Sequence, residues 1–265
     1  MSYNSPEVVA QLIYKIDAEK FDKSVFDKTG VFILRNAIPQ DLIKEWRTAW
    51  DEFYAEKLAA GRTVYKYNPV ALEEKLPGVL GTLYKNEVLA NYAAQVWGDN
   101  IGIYHHRFVI KDKQSKNEVF LHQDYCYHSG FHNKSSFFIP LSYAGKENGG
   151  LTFYPGTHQY GFLGDAGEIN PDNFKDKWLG ITPELQPGDL AIMNSLLWHG
   201  SGLNVSGVDR IVIDTIYQPA NDPSCIDLVK GEWQTDIFID RENPLKNFKR
   251  SRVSRIIQLE EELKK

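Results

Sequence analysis

The chain of 265 residues is 42% hydrophobic and 13% aromatic, which is enough apolar material for a folded core and excludes disorder of the whole chain. Its formal charge of −5 opposes a general nucleic-acid-binding function, which requires a basic surface. No apolar run reaches the length of a membrane span, and the N-terminus lacks the basic and apolar regions of a signal peptide. We therefore expect a cytoplasmic protein with reduced cysteines that acts on a small molecule and has no nucleic-acid or membrane partner.

The N-terminal part of the chain, about residues 1–98, is predicted to be mainly helical and to support the rest of the fold. Residues 5–28 carry apolar side chains at weak helical spacing, whereas residues 31–34 form a β-branched and aromatic run that predicts a short strand. Pro39 then favours the first turn of a helix. The apolar side chains after it lie on one helical face, which we expect to pack on a sheet: Leu42, Ile43, Trp46, Trp50 and Phe53.

The segment over residues 61–86 has no sustained period, and a second clear helix follows it. Irregular segments of this kind often cover the mouth of an active site, but a surface loop with packed aromatic side chains explains the pattern equally well. Residues 87–97 have helical periodicity, and Gly98 is expected to end that helix.

From residue 101 the pattern changes to short strands separated by turn residues, which predicts a double-stranded β-helix, a cupin-like jelly roll. The predicted fold class is thus mainly β with flanking helices. We expect a single domain with the jelly-roll core at about residues 99–220 and a C-terminal extension at about residues 221–265. Basic and acidic residues are mixed in this extension, which favours a solvated helix over a nucleic-acid or membrane patch.

An imidazole and a carboxylate lie two residues apart in one of the predicted strands. Because alternate side chains share one face of a strand, His122 and Asp124 point the same way and Gln123 points the opposite way. If the strand continues, Cys126 and His128 share the face of Asp124 as well. The pair formed by His122 and Asp124 is a two-point chelate for a metal ion.

The best candidate for a third metal ligand is His199, which lies in an apolar strand further along the chain. Two neutral imidazoles and one carboxylate leave coordination positions open, and this set is typical of non-haem Fe(II) oxygenases. For His122 and Asp124 alone, a polar pair on a strand with an unrelated core histidine would be the simpler explanation.

Arg210 follows His199 after a polar, glycine-rich turn and begins a predicted return strand. A hairpin of this kind brings the guanidinium alongside the histidine. Ile211 and Ile213 point to the opposite face, so Arg210 is expected to lie in the interior of the fold. The alternative is a surface arginine beside Asp209.

In this order and spacing, the motifs resemble those of the phytanoyl-CoA dioxygenase family of Fe(II)- and 2-oxoglutarate-dependent oxygenases. The resemblance covers roughly residues 20–220. It rests on the opening strand and helix from Thr29, the His-Gln-Asp triplet at 122–124, the glycine-rich segment 148–158, the turn at 186–190, and the segment from His199 to Arg210.

The resemblance implies Fe(II), 2-oxoglutarate and dioxygen, with the two histidines and the carboxylate as the catalytic metal site. Arg210 would bind the distal carboxylate of 2-oxoglutarate, because a guanidinium matches a carboxylate with a planar fork of donors. Ser201 is a candidate helper for the same carboxylate, although a turn serine explains it equally well. Lys111 is a candidate second cation for the cofactor, or else part of a solvated turn.

Candidate substrate contacts lie close to the metal strand and in one glycine-rich turn. Tyr127 and His128 follow the carboxylate ligand, and His128 is not expected to be a fourth ligand because it would close the open site. His158 either faces the pocket or forms hydrogen bonds that stabilise its own turn. One of His105 and His106 lines the pocket, or both are core or surface residues.

The predicted function is hydroxylation of an unactivated C–H bond of a small molecule, with release of succinate and carbon dioxide. Asp124 favours oxygen transfer over halogenation, because its carboxylate fills the position that a halide needs. One alternative is a cupin-type metal-dependent hydrolase or isomerase, in which Arg210 would have no purpose. The other is a non-catalytic jelly-roll binding protein, which predicts the loss of a ligand or of the arginine. The sequence selects neither a substrate nor an oligomeric state.

Overall fold

The fold consists of two β-sheets, with helices packed on the outer face of the larger sheet. Among the residues that can be described, no helix is both long and apolar enough to cross a membrane. Cys126 and Cys225 are buried and free. The structure is a computed structural model that describes residues 5–61, 76–112, 118–163 and 178–233, together with Glu261, Leu263 and Lys264.

The described residues contain strands β1 (Asp17–Ala18), β2 (Val31–Leu34), β3 (Ile101–Lys111), β4 (Val119–His122), β5 (Ser135–Pro140), β6 (Leu151–Phe153), β7 (Leu190–Asn194), β8 (His199–Ser201), β9 (Arg210–Pro219) and β10 (Asp227–Lys230). In this part of the chain the larger sheet has the order β1-β2-β7-β5-β9-β3-β10, and the smaller sheet has the order β4-β8-β6. Neighbouring strands are antiparallel except for β1 and β2, which are parallel.

Helices cover the outer face of the larger sheet and follow the predicted boundaries closely. The ring of Trp50 stacks on Phe108 of β3, with ring centroids 4.5 Å apart, so the predicted apolar helix does pack on the sheet. The strand predicted at residues 31–34 is β2, and the helix predicted before Gly98 ends there. The α-helices of the described residues are α1 (Pro6–Ala10), α2 (Lys23–Thr29), α3 (Gln40–Ala59) and α4 (Glu87–Trp97).

The inner face of the larger sheet is polar where β3 and β9 pair. In this antiparallel pair Arg107 lies opposite Asp214, and Lys111 lies opposite Arg210. Residues that lie directly opposite share one face of a sheet. Lys111 Nζ donates to the carbonyl of Ser201 in β8 at 3.3 Å, so this face is turned toward the smaller sheet. The functional residues therefore lie between the two sheets.

The larger sheet extends beyond residue 220, where the sequence placed the end of the jelly-roll core. β10 pairs with β3 at the edge of the sheet, with Asp227 opposite Ile103. A strand in the predicted extension therefore belongs to the sheet. The predicted mixed-charge helix falls largely on residues 234–260, which lie outside the described residues.

The predicted irregular region is described only from residue 76 onward, since residues 62–75 lie outside the described residues. Residues 76–86 pack on the outer side of the fold through the buried side chains of Leu80 and Leu83. The carbonyl of Leu80 lies 2.8 Å from Nε2 of His106, which is hydrogen-bonded on the outer face of β3. This part of the region therefore matches the alternative of a loop that packs on the surface.

Candidate metal centre

The three predicted metal ligands lie on adjoining elements at the smaller sheet. His122 is the last residue of β4 and His199 is the first of β8, and the two residues are directly opposite each other. The strand predicted to run through Asp124 instead ends at His122, and a short 3-10 helix, Asp124–Tyr127, follows. This turn still directs the carboxylate at the imidazoles. Asp124 Oδ1 lies 3.4 Å from His122 Nε2 and 3.7 Å from His199 Nε2.

The donor set fits a divalent metal ion. One ligand atom from each of the three side chains lies within 4.8 Å of the others. The Nδ1 atom of His122 is 2.8 Å from the carbonyl of Phe120, and the Nδ1 atom of His199 is 2.9 Å from the carbonyl of Leu197. Because a carbonyl only accepts, each Nδ1 carries the proton and each Nε2 presents its lone pair toward the carboxylate. Three protein donors of this kind leave coordination positions for other molecules.

The electrostatics favour the protonation states that a metal requires. Burial, and then the neighbouring His122, lower the pKa of His199 to about 4. Burial alone would raise the pKa of Asp124, but His199 and His122 outweigh it and hold that pKa well below its usual range. Near neutral pH, His199 is therefore neutral and Asp124 is ionised, as metal ligation requires.

Gln123 points away from the metal ligands, as the alternation of side chains predicted, and it fixes the turn between them. Its Nε2 donates to the carbonyls of Gly161 at 2.8 Å and Leu196 at 2.6 Å. Its Oε1 accepts from the backbone N–H of Leu163 at 3.0 Å. These hydrogen bonds connect the turn at Gln123 to the segment at Gly161 and Leu163 and to the residue Leu196, on the side of the turn opposite the metal ligands.

A pair of buried cations forms a second part of the site. Lys111 and Arg210 lie opposite each other on β3 and β9, and each is 1% exposed. Burial, and then Arg210, lower the pKa of Lys111 to about 7, and burial lowers the pKa of Arg210 to about 10. Lys111 is therefore not part of a solvated turn and Arg210 is not a surface arginine, so both of those alternatives are wrong.

The cation pair donates to main-chain carbonyls and retains donors for a ligand. Lys111 contacts the carbonyls of Ser201 and Gly202, and Arg210 Nη1 donates to the carbonyl of Gly149. Gly149 has φ of 76°, and a Cβ there would lie 2.6 Å from the Lys111 side chain, so this close approach requires glycine. Arg210 Nε is buried and has no hydrogen-bond partner among the described residues. These donors suit a carboxylate.

Tyr127 and His128, the predicted substrate contacts after the metal strand, remain next to the metal ligands. The ring centroid of Tyr127 is 6.0 Å from that of His122, and the ring of His128 is 4.8 Å from that of Tyr104. Burial lowers the pKa of His128 to about 3, while Asp124 acts in the opposite direction. Within the described part of the chain, Nδ1 of His128 is buried without a hydrogen-bond partner.

His158 is not brought to the metal ligands. Its Nε2 lies 3.0 Å from the carbonyl of Asp27 in α2, and a Cβ at Gly30 would lie 2.5 Å from its Nδ1. It therefore anchors its own turn to α2, which was the alternative role. His106 faces outward, whereas His105 keeps the inner-face position two residues before Arg107 in the paired strand.

The sequence patterns did not single out a polar group that touches the carboxylate ligand. Ser136 Oγ, on β5, donates to Asp124 Oδ2 at 3.4 Å.

A second pair of charged residues also lies on the inner face: Arg107 Nε donates to Asp214 Oδ2 at 2.6 Å across β3 and β9. Arg107 and Asp214 each lie four residues from one of the buried cations on the same strand. The sequence signal for these two residues was available. Each is a charged residue in a largely apolar strand, and its even spacing from Lys111 or Arg210 places it on the same face.

Several solved structures share this fold. EctD from S. alaskensis, solved with 2-oxoglutarate and 5-hydroxyectoine, is 20% identical with a TM-score of 0.63, over 77% of this chain and 78% of that chain. The non-haem α-ketoglutarate-dependent carbocyclase SnoK from nogalamycin biosynthesis is 15% identical with a TM-score of 0.65, over 84% and 88%. The epimerase SnoN, in complex with Fe3+, α-ketoglutarate and nogalamycin RO, is 16% identical with a TM-score of 0.61, over 83% and 88%. The predicted jelly-roll class is confirmed.

Among curated proteins, no sequence matches this chain significantly. The family model described as phytanoyl-CoA dioxygenase (PhyH) matches residues 26–212, well over half of the chain. The matched range includes the three candidate metal ligands and both buried cations. The chain therefore belongs to the phytanoyl-CoA dioxygenase family of non-haem iron and 2-oxoglutarate-dependent enzymes.

Proposed function

We propose that this enzyme hydroxylates an unactivated C–H bond of a small molecule, with conversion of 2-oxoglutarate and dioxygen to succinate and carbon dioxide. The observation that carries the proposal is the approach of two imidazole Nε2 atoms to one carboxylate beside a pair of buried cations. Fe(II) and 2-oxoglutarate, when bound, supply the oxidising power. The protein side chains hold, orient and shield the reacting molecules.

His122, Asp124 and His199 are the proposed iron ligands. The backbone carbonyls two residues before each histidine hold the imidazoles in one tautomer, so both Nε2 atoms are oriented before the metal arrives. Ser136 Oγ donates to the carboxylate from the facing sheet and restricts its rotation. These contacts hold the three donor atoms together, so that they would bind a metal ion jointly.

Arg210 and Lys111 are the proposed partners of 2-oxoglutarate. The guanidinium has an unsatisfied Nε donor and takes the distal carboxylate, while Lys111 contributes a second positive charge. Ser201, buried beside Lys111, is proposed to assist with its hydroxyl group. Removing two cations from water costs desolvation free energy that a bound anion between them would offset. This supports a dicarboxylate as the ligand of the cation pair.

Asp124 supports hydroxylation over halogenation, since a carboxylate occupies the coordination position that a halide would take. A hydrolase or isomerase would leave the buried cations without an anionic partner. The ring of Tyr127 lies beside that of His122, and His128 interacts electrostatically with Asp124. Both are proposed substrate contacts. His158 is left out of this proposal because its ring lies against α2.

An anaerobic titration tests the proposed function. Fe(II) and then 2-oxoglutarate are added to the wild type, and the weak visible charge-transfer band of the chelated cofactor is recorded. The band should form in the wild type and in Asp41→Ala, which removes an exposed carboxylate from α3. Asp124→Ala should abolish it. A wild type that binds iron but gives no band with 2-oxoglutarate would refute the proposal in favour of a hydrolase or a binding protein.

A further inference from the structure

Arg107 and Asp214 form an ion pair on the inner face of the larger sheet, separate from the cation pair of Lys111 and Arg210. They lie opposite each other on β3 and β9, and Arg107 Nε donates to Asp214 Oδ2 at 2.6 Å. Arg107 precedes Lys111 by four residues, a separation of about 13 Å along a strand. Arg107 and Lys111 therefore lie on the same face of the sheet but far apart along β3.

Ser136 connects this ion pair to the proposed metal ligand. Its hydroxyl donates to Asp124 Oδ2 at 3.4 Å and also interacts with the carboxylate of Asp214. Ser136 belongs to β5, which lies between β7 and β9 in the sheet. The ion pair is therefore one strand away from the residue that contacts the metal ligand, on the inner face beside the metal centre.

Arg107 has an accessible side, whereas its partner does not. The side chain of Arg107 is 27% exposed, while that of Asp214 is 3% exposed. Asp214 engages the Nε atom, which leaves the terminal edge of the guanidinium for another acceptor. Because Arg107 lies on the inner face, this edge opens into the space between the sheets. Burial lowers the pKa of Arg107, but Asp214 and Asp124 outweigh it, so the pKa is raised and the group stays charged.

We propose that Arg107 anchors the substrate by an acidic group, so that the enzyme oxidises a small molecule that carries a carboxylate or a phosphate. This inference rests on the proposed function and assigns its substrate class. Asp214 holds the guanidinium fork in one orientation, and the fork binds two acidic oxygens of the substrate. The ion pair thereby places the rest of the substrate beside the open side of the metal site. A neutral analogue would leave the terminal edge of the guanidinium without an acidic acceptor and would bind weakly.

The test uses enzyme loaded anaerobically with Fe(II) and 2-oxoglutarate, whose visible band reports binding next to the metal. The probes are matched pairs: hexanoate and hexanamide, benzoate and benzamide, and phenyl phosphate and phenol. We expect acids to perturb the band at millimolar concentration and their neutral partners not to do so. Arg107→Met should weaken acid binding by about 30-fold, while 2-oxoglutarate affinity stays unchanged within about a factor of two.

Two further variants separate recognition from folding. The double variant Arg107→Gln with Asp214→Asn removes both charges and keeps a hydrogen-bonded pair, and it should lose acid binding to the same extent. Arg107→Lys keeps the charge without the fork and should bind acids with intermediate affinity. In each variant the band of the bound cofactor reports that the metal site is intact.

The inference is overturned if no acid binds, if the neutral partners bind as well as the acids, or if the uncharged variants bind acids as tightly as the wild type. Tighter binding of phenyl phosphate than of benzoate would assign a phosphate ester, and the reverse order would assign a carboxylic acid. Failure of the proposed function is a different result, because the cofactor band would then be missing from the wild type before any acid is added.

Discussion

Main-chain carbonyls orient individual side chains of this site. Each candidate histidine ligand is held by the carbonyl two residues earlier in the chain, and Arg210 is held by the carbonyl of Gly149. Main-chain acceptors fix orientation without neutralising the positive charge of Arg210. The charge therefore remains for a ligand, which is the basis of two predictions at the scale of single residues.

Replacing Arg210 with methionine keeps much of the apolar stem and removes the donors. We expect the affinity for 2-oxoglutarate to fall by about 100-fold, because charge-assisted hydrogen bonds in a buried site are lost. Iron binding without 2-oxoglutarate should change little. The charge-transfer band measures the affinity for 2-oxoglutarate, and competition with a coloured chelator measures the affinity for Fe(II). The hairpin predicted from His199 to Arg210 is wrong, because β8 and β9 lie in different sheets and a loop joins them. Val208→Thr, at an exposed position of this loop, is the control. An Arg210→Met enzyme with wild-type affinity would remove Arg210 from the cofactor site.

Lys111 makes 2-oxoglutarate binding depend on pH. Burial and Arg210 lower the pKa of Lys111 to about 7, so its cationic fraction rises as pH falls through that value. The affinity for the dianionic cofactor should therefore increase roughly tenfold from pH 8.5 to pH 6.5. Lys111→Met should show a flat profile over this range, whereas Lys44→Met, exposed on α3, should behave like the wild type. A wild-type affinity independent of pH would contradict this role.

At the scale of elements, the pairing of β4 with β8 sets the distance between the two histidine ligands. The strands approach closely because Gly200 lies between the ligand and Ser201 on β8. A Cβ at Gly200 would lie 2.9 Å from the carbonyl oxygen of Val119 in β4, so a side chain there must push the strands apart.

Gly200→Ala is therefore expected to weaken iron binding by at least about tenfold, since metal sites tolerate little displacement of their ligands. Competition between Fe(II) and a coloured chelator measures the affinity. Gly202→Ala is the matched control, because a Cβ at Gly202 meets nothing within 4 Å. If both variants bound iron equally well, the close approach of β4 and β8 would not be what positions the ligands.

Several elements could be predicted from the sequence because their signals are local. The run at 31–34 and the helix before Gly98 have short, unambiguous patterns, and both occur with the predicted bounds. The prediction of a strand through Asp124 was wrong. The alternation of residues along the sequence carries no information about the hydrogen bonds that side chains form with distant backbone groups. Gln123 binds three backbone groups from distant segments and stabilises a turn where the pattern allowed a strand.

At the scale of the whole molecule, several charged side chains are buried in the space between the two sheets. Lys111, Arg210 and the metal ligands are all buried on inner faces. Burying charges without partners is costly, so ligands that neutralise them should stabilise the native state strongly. The single-domain organisation and the cytoplasmic location remain predictions.

Addition of Mn(II) and 2-oxoglutarate together, each at about 100 times its dissociation constant, should raise the melting temperature by about 5 °C or more. Differential scanning fluorimetry measures the shift. Asp124→Ala should melt at the same temperature with and without the two ligands, since its metal site is broken. A shift of wild-type size in that variant would place the stabilising ligands elsewhere on the protein.

The sequence by itself identified the family of iron- and 2-oxoglutarate-dependent enzymes, because the His-Gln-Asp triplet, His199 and Arg210 occur in order within segments whose local patterns are clear. Only the tertiary structure decided the burial of Lys111, the packing of His158 against α2 and the ion pair of Arg107 with Asp214. Those two partners are 107 residues apart, and they meet because β3 and β9 pair in one register. A strand pattern specifies which side chains share a face, but the partner across the sheet is chosen by the packing of the whole chain.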